Sequence, residues 1–140
     1  MNGLAALLAL HVLAAAFWIG STLMLTLFVV PAALRAGIDV PSFMQALFFG
    51  ARLQLGFALV GATTVVTGMA ALWIVSGGFG PTFMQSETGT LISLGAASGI
   101  LAIVTGIVTR RLQEKGAPFA YATGALLVVA LLSMVYGSHV

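Results

Sequence analysis

Two imidazoles, His11 and His139, are the only histidines in the chain. Neutral imidazole is the usual nitrogen ligand for haem iron, copper or zinc. Cysteine is absent, which excludes disulfides, thiolate zinc sites and iron–sulfur clusters. The three acidic residues, Asp39, Glu87 and Glu114, form no carboxylate pair, and no Ser-His-Asp set is available. Hydrolytic chemistry has nothing to work with, and no catalytic residue is assigned.

Each histidine has neighbours at helical spacing. Ala14, Ala15, Trp18 and Thr22 follow His11 on one helical face, and Val135 and Tyr136 share the face of His139. Two alanines one turn from an imidazole leave space for a flat macrocycle, which Trp18 and Tyr136 could wall. The same residues also admit a plainer assignment: alanines as helix-packing positions, His139 as a solvated residue. A copper site is the alternative, because His and Met suit Cu(I), and Met84, Met134 and Glu87 could join the histidines. Haem propionates seek cations, whereas the connection nearest both histidines offers only Gln85, Ser86 and Thr88, with Ser138 beside His139. Trp73, Tyr121 and Tyr136 fit an interfacial aromatic belt.

The elements that must position these groups follow from composition. Of 140 residues, 61% are hydrophobic and only 6% charged, against about 25% charged in soluble domains. Such a chain cannot cover itself with a water-facing surface, so a soluble enzyme, a nucleic-acid-binding module and a disordered tail are excluded. A spanning helix needs ~20 apolar residues. Four stretches qualify, at about 3–30, 52–76, 89–109 and 119–139, ended in turn by Pro31, Gly77-Gly78, Arg110-Arg111 and the chain terminus. They are continuous rather than alternating, which excludes a transmembrane barrel. The expected fold is all-α, a four-helix transmembrane bundle, with residues 1–140 forming a single integral-membrane domain. Met1-Asn2-Gly3 lacks the basic region of a secretory signal, and the first stretch is expected to be a retained helix.

The connections are informative too. Arg35 and Arg52 lie between the first two stretches, and Arg110, Arg111 and Lys115 between the last two, which accounts for all five basic residues. The positive-inside rule puts those loops in the cytoplasm and both termini outside, in the inner membrane if the source is bacterial. Residues 42–51, rich in Phe and opened by Ser42 as a capping residue, read as a short interfacial segment. If Pro31 marks the cytoplasmic end of the first helix, His11 lies 19 residues from Val30, roughly 28 Å away at the outer edge of the hydrocarbon. A similar count from Phe119 brings His139 to the same level. Small residues supply packing stripes, Gly61, Thr64, Gly68 and Ala71 on the second helix and Gly95, Gly99, Ala102 and Gly106 on the third. Such stripes suit a bundle interior, a homodimer or a larger membrane complex equally.

The first stretch reads Leu10-His11-Val12-Leu13-Ala14-Ala15-Ala16-Phe17-Trp18-Ile19-Gly20. This His-x6-Trp-x-Gly pattern resembles small four-helix membrane families around copper resistance protein D, and is similar, more loosely, to HemJ-type protoporphyrinogen oxidases. The first resemblance implies a metal-handling role for His11. The second implies haem b bound through His11 and electron flow towards quinone; it also implies a lysine deeper in the chain, whereas Lys115 falls in a loop. The leading expectation is a b-type haem protein for one-electron transfer, linked to quinol, with His11 and His139 as ligands and Ala14, Ala15, Trp18 and Tyr136 lining the site. The alternatives are a copper-handling membrane protein and a cofactor-free structural subunit of a larger membrane complex. The partners expected are the lipid bilayer and quinone, with no nucleic acid.

Overall fold

A computed structural model describes residues 3–111 and 117–137, with side chains described for 3–108 and 122–137. The described residues are helical throughout, with short turns between helices and no strands. The elements are α1 (Gly3–Met24), a π turn (Leu25–Val29), α2 (Val30–Arg35), α3 (Val40–Gln45), a second π turn (Ala46–Gly50), α4 (Leu53–Val75), α5 (Pro81–Met84), α6 (Glu87–Arg111) and α7 (Ala117–Gly137). Three helical runs, Gly3–Arg35, Leu53–Val75 and Glu87–Val108, are long and apolar enough to cross a membrane. The part of α7 whose side chains are described, Ala122–Gly137, is a shorter apolar helix.

The first run departs most from the sequence expectation. Pro31 does not end it; the helix continues to Arg35. Proline in a regular helix loses an N–H and presses its ring against the carbonyl four residues back. Here the preceding turn is widened to π, with the Val30 N–H bonded to the Leu25 carbonyl, and Pro31 occupies the first turn of α2. That is the position where a missing N–H costs least. The 33-residue run is therefore roughly 50 Å long at ~1.5 Å per residue. Both ends of α4 and the start of α6 fall within two residues of the expected limits, and α6 continues through the expected stop at Arg110-Arg111.

The expected interfacial segment begins earlier than Ser42. Asp39 holds the N-cap position in extended conformation, α3 starts at Val40, and the Ser42 hydroxyl donates to the Asp39 carboxylate instead of capping. Phe48 of the second π turn faces Phe57 of α4, with ring centroids 6.0 Å apart. Between them Arg52 adopts a left-handed conformation, φ 55°, which breaks the helix direction before α4.

Packing joins α1 to α4 and α6 to α7 most extensively, with further contacts from α4 to α6 and from α1 to α7. The core is small: Trp18, Ile19, Ala102 and Leu127 are buried together, flanked by Leu23, Phe57, Val60, Ile103 and Leu126. The expected stripe on α4 is the one used, since Gly61, Thr64 and Ala71 are buried there. The stripe on α6 shifts. Gly95 and Ala102 are buried, but Gly99 and Gly106 have open space where a Cβ would stand. Their places on the packed face go to Ser98, which is buried, and Thr105, whose hydroxyl is 2.8 Å from that of Thr123 on α7. Glycine spacing alone cannot distinguish adjacent helical faces, and hydroxyl side chains fill close crossings as readily as glycine does.

Candidate functional site

The site is built on the α1–α4 crossing, where two pairs of residues share one spacing. His11 and Trp18 are seven apart on α1, and Gly61 and Gly68 are seven apart on α4. Seven residues are close to two helical turns, about 10.5 Å, so two antiparallel helices can match both pairs at once. Trp18 lies on Gly61, with ring atoms 3.8 Å from where a Cβ would be, and His11 lies on Gly68. At the second contact the fit is closer: a Cβ on Gly68 would stand 2.7 Å from the His11 Cε1 and 3.0 Å from Nδ1.

This approach lets the imidazole reach the backbone of α4. Nδ1 of His11 is 2.8 Å from the carbonyl oxygen of Thr64 and 3.3 Å from the Thr67 hydroxyl. A carbonyl can only accept, so Nδ1 carries the proton and donates. The Thr67 hydroxyl gives its own proton to the Thr63 carbonyl at 2.6 Å and can accept from His11 as well. In the neutral ring the lone pair then resides on Nε2. Among the described residues Nε2 has no hydrogen-bond partner, and none of their buried side-chain nitrogen or oxygen atoms lacks one. Nε2 is therefore not a fully buried atom.

Thr64 is the midpoint of α4, eleven residues from either end. The imidazole thus meets the middle of that helix, not its end. The count back from Pro31 gave a more terminal level than this contact with the middle of α4.

The remaining expected site residues distribute as follows. Ala14 and Ala15, on the His11 face, are half-buried. Trp18 is only 7% exposed and belongs to the core, so its ring is committed to α4 packing two turns from the imidazole. Tyr136 is 61% exposed and lines an open apolar depression with Leu91, Leu132, Ser133 and Val135. His11 does not line it. His139 lies outside the described residues, as do Lys115 and the side chains of Arg110 and Arg111. Of the methionines considered for copper, Met84 has the Ser93 hydroxyl against its sulfur and Met134 packs against Gly95. Neither is brought to His11 by these contacts. Among the described residues no group of three or more His, Cys, Asp or Glu side chains is assembled for a metal ion.

Thr67 and the Thr64 carbonyl entered as unremarked helix or stripe positions, yet they complete the environment of His11. The signal available in sequence was the equal spacing of His11 to Trp18 and Gly61 to Gly68. No family model, curated protein or solved structure matches the chain.

Proposed function

We propose that this chain is an integral-membrane b-type haem protein in which Nε2 of His11 is an axial ligand, and that it serves one-electron transfer with quinol as the partner. The observation that carries this reading is the bond from Nδ1 to the Thr64 carbonyl. Ligating histidines nearly always donate their other ring N–H to a carbonyl or carboxylate, which fixes the ring and raises the basicity of the ligating nitrogen. Intramembrane ionisable residues are also functional candidates by default.

The residues present fit such a group in donor chemistry: Nε2 has no hydrogen-bond partner among the described residues, and Ala14 and Ala15 on the same face of α1 are small and half-buried. Haem iron, when bound, supplies the one-electron couple. The protein orients the imidazole through Thr64 and Thr67 and holds α1 against α4 through Trp18. Trp18 is proposed as a support for the site, not as a wall. His139, outside the described residues, is retained as the second-ligand proposal, and Tyr136, in the last turn of α7, as a lining proposal.

The fold that belongs to this reading is a four-helix transmembrane bundle formed by the run Gly3–Arg35 with α4, α6 and α7. The loops carrying Arg35, Arg52, Arg110, Arg111 and Lys115 are cytoplasmic and the termini lie outside, in accordance with the positive-inside rule. A homodimer or larger membrane complex is compatible with the many large apolar side chains exposed on the helices.

A second reading has its own support. The His11–Thr64 bond also ties two helices together, which is what a cofactor-free packing subunit requires. Copper handling is less favoured, since the contacts of Met84 and Met134 direct them elsewhere. The visible spectrum of detergent-purified protein, oxidised and reduced, decides between these readings. The haem reading expects a Soret band that is lost in His11→Ala. A colourless preparation from haem-replete cells that gains no Soret band on haem addition overturns it, and copper retained in a His11-dependent manner would favour the metal reading.

A further inference from the structure

We infer that Gly68 is the positioning residue of this site. Its missing side chain is what allows the Thr64 carbonyl to hold His11 in the Nδ1–H tautomer and leaves Nε2 as the ring nitrogen with a free lone pair.

Three observations bear on this. The space a Cβ would take at Gly68 is already filled by the imidazole, at 2.7 Å from Cε1, 3.0 Å from Nδ1 and 3.5 Å from Nε2. Contacts below 3.0 Å require something to move, and the movable group is the ring of His11, since Gly68 lies within α4. The ring's bond partner lies directly beneath. Thr64 is four residues before Gly68, so in a regular helix its carbonyl accepts the Gly68 N–H and still has a second lone pair for Nδ1. An imidazole can reach that lone pair only where the next turn of the helix carries no side chain. Finally, Gly61 shows that small size alone is not the requirement at both crossings. A Cβ there would be at ordinary contact distance, 3.8 Å, from Trp18, so alanine fits at position 61 and does not at position 68.

A methyl group at position 68 therefore lifts the ring off α4, lengthens or breaks the Nδ1–carbonyl bond, and releases the tautomer. The chemistry selected by the native arrangement is that of a Lewis acid binding the Nε2 lone pair. This tautomer assignment stands on geometry alone; only its consequence for a redox centre rests on the haem reading.

The test is 15N NMR of detergent-solubilised protein labelled at histidine, without added haem or metal, with His11 assigned by comparison with His139→Gln. At a pH where the ring is neutral, protonated and unprotonated ring nitrogens differ widely in shift. The wild type is expected to show a protonated-type Nδ1 and an unprotonated-type Nε2. Gly68→Ala is expected to move both shifts towards the tautomer mixture of free histidine, whereas Gly61→Ala is expected to leave them unchanged. A wild-type spectrum dominated by the Nε2–H tautomer overturns the inference without recourse to any variant, as does a folded Gly68→Ala protein with native shifts. A colourless protein with the expected wild-type tautomer would end the haem reading and leave this inference standing. Where haem binds, Gly68→Ala should raise the reduction potential, because loss of the Nδ1–H bond lowers ligand basicity.

Discussion

The imidazole of His11 lies over the bare Cα of Gly68, 57 positions along the chain, and through that gap donates to the Thr64 carbonyl at 2.8 Å. One missing side chain on α4 thus settles the position, tautomer and open face of the single described histidine. The neighbouring contact of Trp18 on Gly61 fixes the register in which this happens.

Removing the imidazole tests the structural share of the bond. His11→Ala is expected to destabilise the α1–α4 pair by about 0.6 kcal/mol, the mean for interhelical hydrogen bonds in membranes. Titration of the unfolding equilibrium with a denaturing detergent measures it. A loss several times larger would indicate that the ring's main role is packing.

Trp18 carries more of the fold. Truncation of a buried aromatic leaves a cavity and costs about 3–5 kcal/mol, and Trp18 is among the few fully packed side chains of the core. Trp18→Ala is expected to lose most of the unfolding midpoint and, through loss of register, to weaken any ligand held by His11. Trp18→Phe should retain much of both.

Two glycines of α6 predict opposite signs. A Cβ on Gly89 would fall 1.9 Å from the Phe83 carbonyl oxygen, a backbone atom, whereas Gly99 has nothing within 4 Å. Gly89→Ala should therefore destabilise by about 1–3 kcal/mol, as overpacking does. Gly99→Ala should be neutral or stabilise by up to about 1 kcal/mol through helix propensity. Thermal unfolding of the two variants in one detergent provides the comparison.

The hydroxyls of Thr105 and Thr123, 2.8 Å apart, join α6 to α7. A double-mutant cycle with Thr105→Val and Thr123→Val is expected to return a coupling of about 0.6 kcal/mol. Additive single effects would show that the two hydroxyls contribute separately.

Much of the fold was legible because apolar length and charge position are one-dimensional properties. The span at 52–76 matches α4 within one residue, since Arg52 and Gly77 punctuate it, and the start at 89 falls within two residues of the start of α6, which runs on through Arg110 and Arg111. Pro31 misled because its effect on a helix depends on the turn before it, and a π turn at Leu25–Val29 absorbs the ring. The α6 stripe was half right: Gly95 and Ala102 pack, while Ser98 and Thr105 take the places given to Gly99 and Gly106. Choosing among residues one position apart requires the rotation of the helix, which its near-uniform apolarity does not encode.

Composition by itself determined that this chain is helical and carries apolar helices of membrane-crossing length, because so few charges cannot cover a water-facing surface and unpaired backbone groups are costly in lipid. The sequence also singled out its two histidines, His11 and His139. Only the tertiary structure decided what His11 meets, the middle of α4 rather than its end, a backbone carbonyl rather than a side chain. The reason is that an interhelical contact depends on two registers and two rotations at once, and a lone pair on a carbonyl leaves no mark on the sequence beyond the glycine that uncovers it.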